Sequence, residues 1–195
     1  MFKIFFDTET TGLPSKDQKW ETDFNEYPRT VQIAWIITND AGEEVERTQH
    51  FIKSDGWEIP DEAIAVHGIT NEVAKQDGVD AKTVFKAFLY DAKKCGLLIG
   101  HNIHYDTSII KADLLRLGFN KEEICKILHK DKRYCTMFKS MKILGLKKWP
   151  KLSELFFKLF NEELTGAHTA IIDAEATKKI YYKLTKLYVS QQKSL

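Results

Sequence analysis

The chain has 195 residues, of which 43% are hydrophobic and 29% are charged, and its formal net charge is +1. This composition is typical of a globular domain and argues against a disordered or fibrous protein. No apolar run approaches the roughly 20 residues that span a bilayer, and the N-terminal residues lack the layout of a cleavable signal peptide. We therefore expect one domain over residues 1–195, with no membrane association.

The three cysteines, Cys95, Cys125 and Cys135, form no CxxC pair. A structural zinc site needs about four clustered ligands, and these residues are scattered along the chain. We therefore predict reduced thiols in a cytoplasmic protein rather than a zinc site or a disulfide framework.

Charge is distributed unevenly along the chain. Residues 1–125 contain 22 acidic against 14 basic side chains, whereas residues 126–195 contain 15 basic against 6 acidic ones. An acidic region can supply metal ligands and a basic region can attract phosphates. The same asymmetry also arises from ordinary solvated surface charge, so both interpretations stay open.

The first part of the chain has the pattern of strands. The apolar run Phe2–Phe6 predicts a buried strand that ends before the first acidic residue. Two further strands are predicted over Val31–Thr38 and Glu44–Lys53, joined by the turn-forming sequence Asn39-Asp40-Ala41-Gly42. The polar residues 14–28 are predicted to form a surface loop.

Helical spacing dominates from residue 80 onward, interrupted by one short buried strand at Leu97–Ile99. The predicted helices cover Asp80–Lys94, Thr107–Leu117, Lys121–His129, Thr136–Leu144, Ser153–Phe160 and Thr169 to about Val189. Strands followed by alternating strands and helices predict an α/β domain with a mixed central sheet.

Two acidic residues follow the first predicted strand. Asp7 and Glu9 are two positions apart, so on an extended backbone both carboxylates point to the same face. In open α/β sheets, functional sites lie at the carboxyl ends of strands, and two like charges held this close repel each other unless a cation lies between them. The pair indicates a cation site, with an ordinary strand-end turn as the alternative.

A third acidic residue follows the predicted strand Leu97–Ile99. The sequence GHNIHYD places Asp106 in the first turn of the next helix, where the helix dipole also tolerates an anion. His101 and Asn102 can cap this helix by accepting hydrogen bonds from its free N–H groups. Asp106 is a candidate metal ligand, with stabilisation of the helix N-terminus as the alternative.

A fourth acidic residue, Asp173, lies about one turn inside the last predicted helix, among small residues such as Ala170 and Ala174. A helix face of alanines beside an acidic residue allows either close packing against a neighbouring element or the binding of a ligand by the acid. His168 precedes this helix on a Thr-Gly-Ala approach. A single loop histidine is usually a surface residue, and it gains interest only if the acidic residues converge beside it.

Together these residues suit metal-assisted hydrolysis of a phosphodiester. Four carboxylates can hold two hard divalent cations such as Mg²⁺ or Mn²⁺ through oxygen ligands. Two such ions about 3.5–4 Å apart stabilise the attacking and leaving oxygens of a phosphoryl displacement. An imidazole can accept the proton of the attacking water near neutral pH.

The acidic motifs resemble those of the DEDDh 3′–5′ exonucleases, which include the proofreading subunit of bacterial replicative DNA polymerase, RNase T and oligoribonuclease. The first family motif, D-x-E, matches Asp7 and Glu9. The second, H-N-x-x-F/Y-D, matches HNIHYD at Asp106, and the third, H-x-x-x-x-D, matches HTAIID at His168 and Asp173. The resemblance extends from residue 2 to about residue 184.

A sister group of this family places a tyrosine four positions before the last acid. Thr169 occupies that position here, which favours the histidine branch. Tyr105 stands where phenylalanine is commoner in the second motif, and this mild departure leaves the placement of Asp106 intact.

The resemblance implies a ribonuclease H-like fold with a five-stranded mixed sheet flanked by helices. It also implies two Mg²⁺ or Mn²⁺ ions held by Asp7, Glu9, Asp106 and Asp173, with His168 as the general base. The residues expected to bind the substrate are Thr8, Thr10, Thr11, Gly12, Leu13, His67, His101 and Asn102.

His67 belongs to the segment Val66–Thr70, which resembles a family loop that lies against the terminal nucleotide. A helix that stops at Gly68 is the alternative interpretation. The basic segment 147–151 also has two interpretations, either a contact to nucleic acid like the extra basic segments of RNase T-like proteins or a solvated loop.

The resemblance predicts a hydrolase that releases mononucleotides from the free 3′ end of a nucleic acid. Single-stranded DNA is favoured over RNA, because the three-strand start and the FDTETTGL segment are closer to the proofreading subunit. A polymerase or another replication or repair protein is a possible partner. The alternatives are an RNA 3′-end-trimming exoribonuclease and a catalytically silent nucleic-acid-binding subunit, although a silent relative would normally have lost one of the five motif residues.

Overall fold

A computed structural model describes residues 1–193 of the chain. The strands are β1 (Lys3–Thr10), β2 (Thr30–Thr38), β3 (Glu44–Phe51), β4 (Leu97–Gly100) and β5 (Arg133–Cys135). The α-helices are α1 (Asp61–His67), α2 (Asn71–Gln76), α3 (Ala81–Lys94), α4 (Ile103–Arg116), α5 (Lys121–Ile127), α6 (Thr136–Leu144), α7 (Leu152–Phe160) and α8 (Ala170–Lys193). A 3-10 turn covers Lys130–Lys132.

The five strands form one mixed sheet in the order β3-β2-β1-β4-β5. The first three strands pair antiparallel, as the turn between β2 and β3 predicts, whereas β1, β4 and β5 run parallel to one another. The carboxyl ends of these three parallel strands therefore lie along one edge of the sheet. This edge is the place where an open α/β sheet carries its functional site.

Strand β1 lies at the centre of the sheet and is buried on both faces. Ile4 and Phe6 pack on one side, where Phe88 of α3 contributes to the same core cluster. Phe5 packs on the other side against Tyr181 of α8. Burial on both faces explains why this segment is continuously apolar rather than alternating.

The prediction that the first strand ends before Asp7 is wrong, because β1 continues to Thr10. The backbone of the acidic segment pairs with β2, with Asp7 opposite Ala34 and Glu9 opposite Gln32. An apolar run marks only where side chains are buried in a core, whereas backbone pairing with a neighbouring strand continues beyond it.

Other boundaries differ by a few residues. The third strand ends at Phe51 rather than Lys53, and α4 begins at Ile103 rather than Thr107, which leaves Asp106 in its first turn as predicted. The fifth strand, Arg133–Cys135, was not located in the sequence because three residues carry no recognisable periodicity. The short helix α2 was also not predicted, and α1 corresponds to the alternative of a helix that stops at Gly68.

Residues 14–28 contain neither helix nor strand, as predicted. Cys95, Cys125 and Cys135 are free thiols, which agrees with the expected absence of a disulfide framework. Among residues 1–193, no helix has both the length and the apolar character needed to cross a bilayer.

Candidate active site

Three carboxylates converge near the carboxyl end of β1. Phe5 faces α8, and the two-residue period of a strand brings Asp7 and Glu9 to the same side. Asp173 faces them from the first turn of α8. One oxygen of each of these three carboxylates lies within 4.8 Å of the others, a grouping that can hold a metal ion.

The start of α8 is fixed against the sheet by a buried amide. The backbone N–H of Ala170 donates a hydrogen bond of 2.9 Å to the side-chain oxygen of Gln32, which lies opposite Glu9 on β2. Ala174 packs beside Phe5, so the small residues of α8 permit the close approach that brings Asp173 to the strand. Sequence reasoning missed Gln32, although an amide inside the apolar run VQIAWIIT was a usable signal.

The two oxygens of Asp173 have different surroundings. Its Oδ2 accepts a hydrogen bond of 3.2 Å from the backbone N–H of His168. Its Oδ1 is buried and has no hydrogen-bond donor among the described residues. A buried carboxylate oxygen without a donor is unfavourable, because it has lost its hydration without compensation. A cation bound between the three carboxylates would provide that compensation, so the site fits a metal ion.

Asp106 lies beside this group but approaches from another direction. It is buried on α4 and its Oδ1 accepts a hydrogen bond of 2.8 Å from the hydroxyl of Thr8. Thr8 points to the face of β1 opposite Asp7 and Glu9, because side chains alternate along a strand. Three of the four predicted ligands thus form one tight group, and Asp106 joins them through its charge rather than within the same 4.8 Å grouping.

Burial raises the pKa values of all four acids, and repulsion from neighbouring acids adds to the rise at Asp7, Glu9 and Asp106. Burial raises the pKa of Asp7 well above its usual range, and the charges of Asp106, Asp173 and Glu9 raise it further. The pKa of Glu9 is raised to about 7 by burial first and then by the charge of Asp173.

The pKa of Asp106 is also raised to about 7, chiefly by burial and against the lowering effect of the Thr8 hydrogen bond. Burial raises the pKa of Asp173, and the hydrogen bond from His168 partly offsets that rise. Without a cation, the four acids therefore hold their protons to higher pH than ordinary carboxylic acids do. Their carboxylate oxygens are hard ligands that suit Mg²⁺ or Mn²⁺, and binding of such an ion would release those protons.

His168 occupies an exposed position just before α8. Its backbone adopts a left-handed conformation, with φ at 66°. The hydrogen bond from its N–H to Asp173 keeps the residue next to the carboxylates, and its charge affects the pKa of both Asp173 and His67. The structure therefore places His168 next to Asp173, and its role as a general base stays a prediction.

A cavity of about 570 Å³ adjoins the carboxylates. Its lining consists of Thr8, Glu9, Thr10, Thr11, Gly12, Leu13, Pro60, Glu62, Ala63, Val66, His67 and Tyr105. Six of the eight residues predicted to bind the substrate lie in this lining. Leu13 and Val66 are 82% and 57% exposed. Exposed apolar side chains at the rim of a cavity offer contact surface for a flat ring.

The helix that stops at Gly68, one of the two interpretations of the segment Val66–Thr70, is present in the structure. Gly68 ends α1 in a left-handed conformation with φ at 72°, which a glycine adopts without strain. Val66 and His67, just before that turn, line the cavity. The helix stop therefore presents the two side chains to the site.

A family model described as Exonuclease matches residues 4–181. This chain belongs to the exonuclease family. The resemblance to the DEDDh exonucleases is thereby confirmed, and membership supports a nuclease activity, that is, hydrolysis of nucleic acid.

The exonuclease domain is similar to part of the DNA polymerase III PolC-type proteins. It is 26% identical over 188 residues to the protein of Halalkalibacterium halodurans and 27% identical over 184 residues to that of Listeria monocytogenes. These matches cover 94% and 93% of this chain but 11% of each relative. The chain thus spans about a tenth of the length of these relatives.

The fold of the exonuclease domain is that of exonuclease I. The E. coli enzyme, solved in complex with a dT13 oligonucleotide, aligns with a TM-score of 0.74 at 21% identity over 95% of this chain and 41% of that one. The Methylocaldum szegediense enzyme aligns with a TM-score of 0.74 at 20% identity over 95% of this chain and 40% of that one. The predicted ribonuclease H-like fold, a five-stranded mixed sheet flanked by helices, is confirmed.

The wall of the exonuclease cavity is held by a tyrosine whose role the sequence did not show. The Tyr105 hydroxyl donates to the carbonyl oxygen of Gly12 at 2.8 Å and lies 2.5 Å from the hydroxyl oxygen of Thr10. Tyr105 directly precedes Asp106 on α4, so one helix turn supplies an acid to the site and a support to the cavity wall. The position of an aromatic residue next to the motif acid was the available signal.

The same wall has a second support farther along α4. Thr11 and Arg29 exchange two hydrogen bonds of 2.9 Å, one from each backbone N–H. The segment around Arg29 is held in turn by the buried ion pair of Asp113 and Arg116, in which Asp113 accepts from the N–H of Thr30 at 2.9 Å. Helix α4 thus holds the segment that forms the cavity wall at two separate points.

His101 and Asn102, the remaining predicted substrate residues, lie outside this cavity lining. Both ring nitrogens of His101 are engaged, Nδ1 with the Thr136 hydroxyl at 2.9 Å and Nε2 with the Pro150 carbonyl oxygen at 3.0 Å. Burial lowers the pKa of His101 to about 4, so the ring is neutral and Nε2–H donates to Pro150. Asn102 is exposed at the start of α4.

The interpretation of His101 and Asn102 as side-chain caps of α4 is wrong. Asn102 stands at the cap position, but its side chain makes no capping hydrogen bond, and its left-handed backbone, with φ at 62°, differs from the extended conformation of a usual cap. The ring of His101 is occupied elsewhere. These residues connect β4 to α4 and to the segment that ends at Pro150.

Proposed function

We propose that this exonuclease domain, residues 1–195, is a 3′–5′ exonuclease that uses two Mg²⁺ or Mn²⁺ ions and releases mononucleotides from a free 3′ end. The observation that carries the proposal is the convergence of Asp7, Glu9 and Asp173 within 4.8 Å beside an open cavity. Asp106 is the proposed fourth ligand, because its charge already acts on Asp7.

The chain's own groups divide the chemistry between them. Asp7, Glu9, Asp106 and Asp173 would hold the two cations, which when bound supply Lewis acidity to the oxygens of the scissile phosphate. The imidazole of His168 accepts the proton of the attacking water, and its exposure lets that proton pass on to solvent. The backbone hydrogen bond to Asp173 keeps residue 168 beside the proposed metal ligands.

The cavity positions the terminal nucleotide. Its volume of about 570 Å³ lies within the range of roughly 300–1,000 Å³ that is typical of small-ligand sites. Leu13 and Val66 offer apolar contact to a base, while Thr10 and Thr11 bring hydroxyl groups for the sugar and phosphate. Capture of a chain end in such a cavity beside the carboxylates supports exonucleolytic rather than internal cleavage.

Single-stranded DNA is the proposed substrate. The similarity to DNA polymerase III PolC-type proteins and the solved complex of exonuclease I with dT13 support it. A polymerase or another replication or repair protein is the proposed partner. In the DNA polymerase III PolC-type relatives, the region similar to this chain is part of a polypeptide about nine times as long. The three free thiols support a cytoplasmic location.

RNA trimming remains a second candidate. The two candidates differ in whether the cavity accepts a 2′-hydroxyl, which is the group that distinguishes RNA from DNA. A catalytically silent subunit is a third candidate. The sequence argues against it, because all five motif residues are present, namely Asp7, Glu9, Asp106, His168 and Asp173.

Digestion of matched oligonucleotides tests the proposal. Linear single-stranded DNA with a 5′ label should lose mononucleotides from its 3′ end in Mg²⁺ or Mn²⁺ and stay intact in EDTA. A circular strand and a strand with a 3′-phosphate should resist digestion. Cutting of the circle at a comparable rate would show an endonuclease, and faster digestion of the matched RNA would replace the proposed substrate by RNA.

A further inference from the structure

A pair of exposed aromatic rings lies outside the carboxylate site. Phe138 on α6 and Trp149 after it are 46% and 63% exposed. Their rings are nearly perpendicular, at 87°, with centroids 5.4 Å apart. We call this pair the Phe138–Trp149 platform. Each ring packs on the other and leaves its remaining surface to solvent, where it can stack on another flat ring.

The platform lies at the same edge of the sheet as the carboxylates. Strand β5 runs parallel to β4 and β1 and leads at its carboxyl end directly into α6, which carries Phe138 in its first turn. The residue after Trp149 is Pro150, whose carbonyl oxygen accepts the 3.0 Å hydrogen bond from His101. His101 in turn lies just after β4 and five residues before Asp106. The platform is thus fastened to the segment that leads into the site.

The surroundings of the platform are strongly basic. Residues 136–151 contain five lysines and no acidic residue, namely Lys139, Lys142, Lys147, Lys148 and Lys151. All five side chains are exposed. Lys148 reaches Glu154 at 3.9 Å, which is a weak contact between exposed groups. Most of this positive charge is therefore available to a polyanion.

We propose that the Phe138–Trp149 platform binds the nucleotides that precede the terminal one on a single-stranded substrate. This inference rests on the proposed function, because it extends the path of the strand whose 3′ end enters the cavity. Single-strand-binding surfaces combine aromatic rings that stack on bases with cations that follow the phosphates. Both components are present here within one segment of sixteen residues.

A single strand fits this surface better than the other macromolecular partners. A duplex hides the faces of its bases in the stack, so exposed rings would gain nothing from it. A stable protein interface covers about 800 Å² on each partner and usually excludes lysine from its centre, whereas the platform consists of two rings surrounded by lysines.

Steady-state kinetics on substrates of two lengths tests the inference. The variants are Trp149→Ala, Phe138→Ala and the double substitution. Tyr90→Ala is the matched control, because Tyr90 is 65% exposed with the Lys94 ammonium 3.5 Å from its ring, but it lies on α3, which precedes the amino end of β4. Each variant is assayed on a dinucleotide and on a 12-nucleotide single strand.

We expect the double variant to raise KM for the 12-nucleotide strand about tenfold or more, with KM and kcat for the dinucleotide unchanged. The control should change neither. Lys147→Gln with Lys148→Gln should make binding of the longer strand less sensitive to salt. A KM for the 12-nucleotide strand that is unchanged in the double variant would overturn the inference, and the aromatic pair would then be a surface for a protein partner.

Binding measured separately from cleavage distinguishes this inference from the proposed function. Fluorescence anisotropy of a labelled 12-nucleotide strand in EDTA reports affinity without turnover. If the wild-type protein cleaves neither substrate but binds the strand, and the double variant binds it about tenfold more weakly, the platform stands and the nuclease proposal fails. If wild type and double variant bind equally well, the platform is wrong whatever the activity.

Discussion

The proposed metal ligands and the proposed base are held by two different kinds of structure. Asp7 and Glu9 lie on the central strand of the sheet, and Asp173 lies in a helix turn fixed by Gln32. His168 lies on an exposed segment with a left-handed backbone and reaches Asp173 through its N–H. The core therefore fixes the positions of the three clustered carboxylates, whereas the surface carries the proposed general base. Metal binding and proton transfer should consequently be separable by mutation.

The largest expected effect comes from the core-held acids. Asp7→Asn and Asp173→Asn should each lower turnover by at least about a thousandfold, because each removes a ligand charge from a site built for divalent cations. The metal-free proteins should melt at the wild-type temperature or above it, since a repelling charge has been removed. Activity assays and thermal melts in EDTA measure the two effects.

Asp77→Asn is the matched control for these variants, because Asp77 ends α2 on the surface. It should keep wild-type turnover. If both Asp7→Asn and Asp173→Asn retain more than about a tenth of the activity, equivalent to roughly 1.4 kcal/mol of barrier, the ligand assignment is wrong.

The next effect concerns the exposed histidine. His168→Ala should lower turnover by about 10²–10⁴-fold while leaving Mn²⁺ affinity nearly unchanged, because the four carboxylates remain in place. Pre-steady-state turnover and a Mn²⁺ titration by calorimetry measure these quantities, with His129→Ala as an exposed-histidine control.

Asp173→Asn should lose Mn²⁺ affinity together with turnover, in contrast to His168→Ala. Equal losses of Mn²⁺ affinity in the two variants would make His168 a ligand, and the separation between core-held charge and surface-held base would then be incorrect.

The raised pKa values of the acids predict how the metal-free fold responds to pH. The pKa of Glu9 in the folded protein is about 7, whereas its ordinary value is 4.5. As pH rises from about 4.5 to about 7, the unfolded chain releases protons that the folded chain retains, so the free energy of unfolding falls across this window. The contribution of Glu9 to the free energy of unfolding is fully present below pH 4.5, and it is lost as the pH rises through about 7.

Urea unfolding in EDTA at several pH values measures this dependence, which we expect to amount to a few kcal/mol at most. Glu9→Gln should reduce the fall because the group no longer ionises. Saturating Mg²⁺ should restore stability at neutral pH, since a ligand that binds only the folded state stabilises it. A stability that instead rises with pH over the same window in EDTA would show that folding does not raise the pKa values of these acids.

The smallest expected effect concerns the wall of the cavity. Tyr105→Phe removes the hydroxyl that donates to Gly12 and keeps the ring. Loss of one hydrogen bond of about 1 kcal/mol should raise KM several-fold with a smaller change in kcat and with Mn²⁺ affinity unaltered. Among substitutions at position 105, only a side chain whose hydroxyl reaches the carbonyl oxygen of Gly12 should give the wild-type KM. A kcat that falls more than KM rises would place Tyr105 in the chemical step instead.

Several features of the fold were accessible from local sequence because they depend on neighbouring residues. The turn Asn39–Gly42, the apolar β2 segment and the helical period of α3 are set by side-chain chemistry within a few positions, and all appear close to where they were predicted. The continuation of β1 to Thr10 was not accessible, because it depends on pairing with β2, which begins only at Thr30.

The candidate site shows the same division. Motif spacing identified Asp7, Glu9, Asp106, His168 and Asp173, and the two-residue period of a strand placed the first two on one face. The supports of the site came from partners far apart in sequence. Gln32 meets Ala170, and Tyr105 meets Gly12, only after the chain has folded.

The sequence by itself determined which residues are candidates for the site, because the acidic residues, the histidine and their spacing are local properties of the chain. The tertiary structure alone decided which acids share an oxygen cluster, since Asp7, Glu9 and Asp173 meet within 4.8 Å while Asp106 is turned toward Thr8. It also decided that His101 serves as a neutral link to Pro150 and not as a cap. Distances between groups remote in sequence follow from packing, and a pattern of residue types does not contain them.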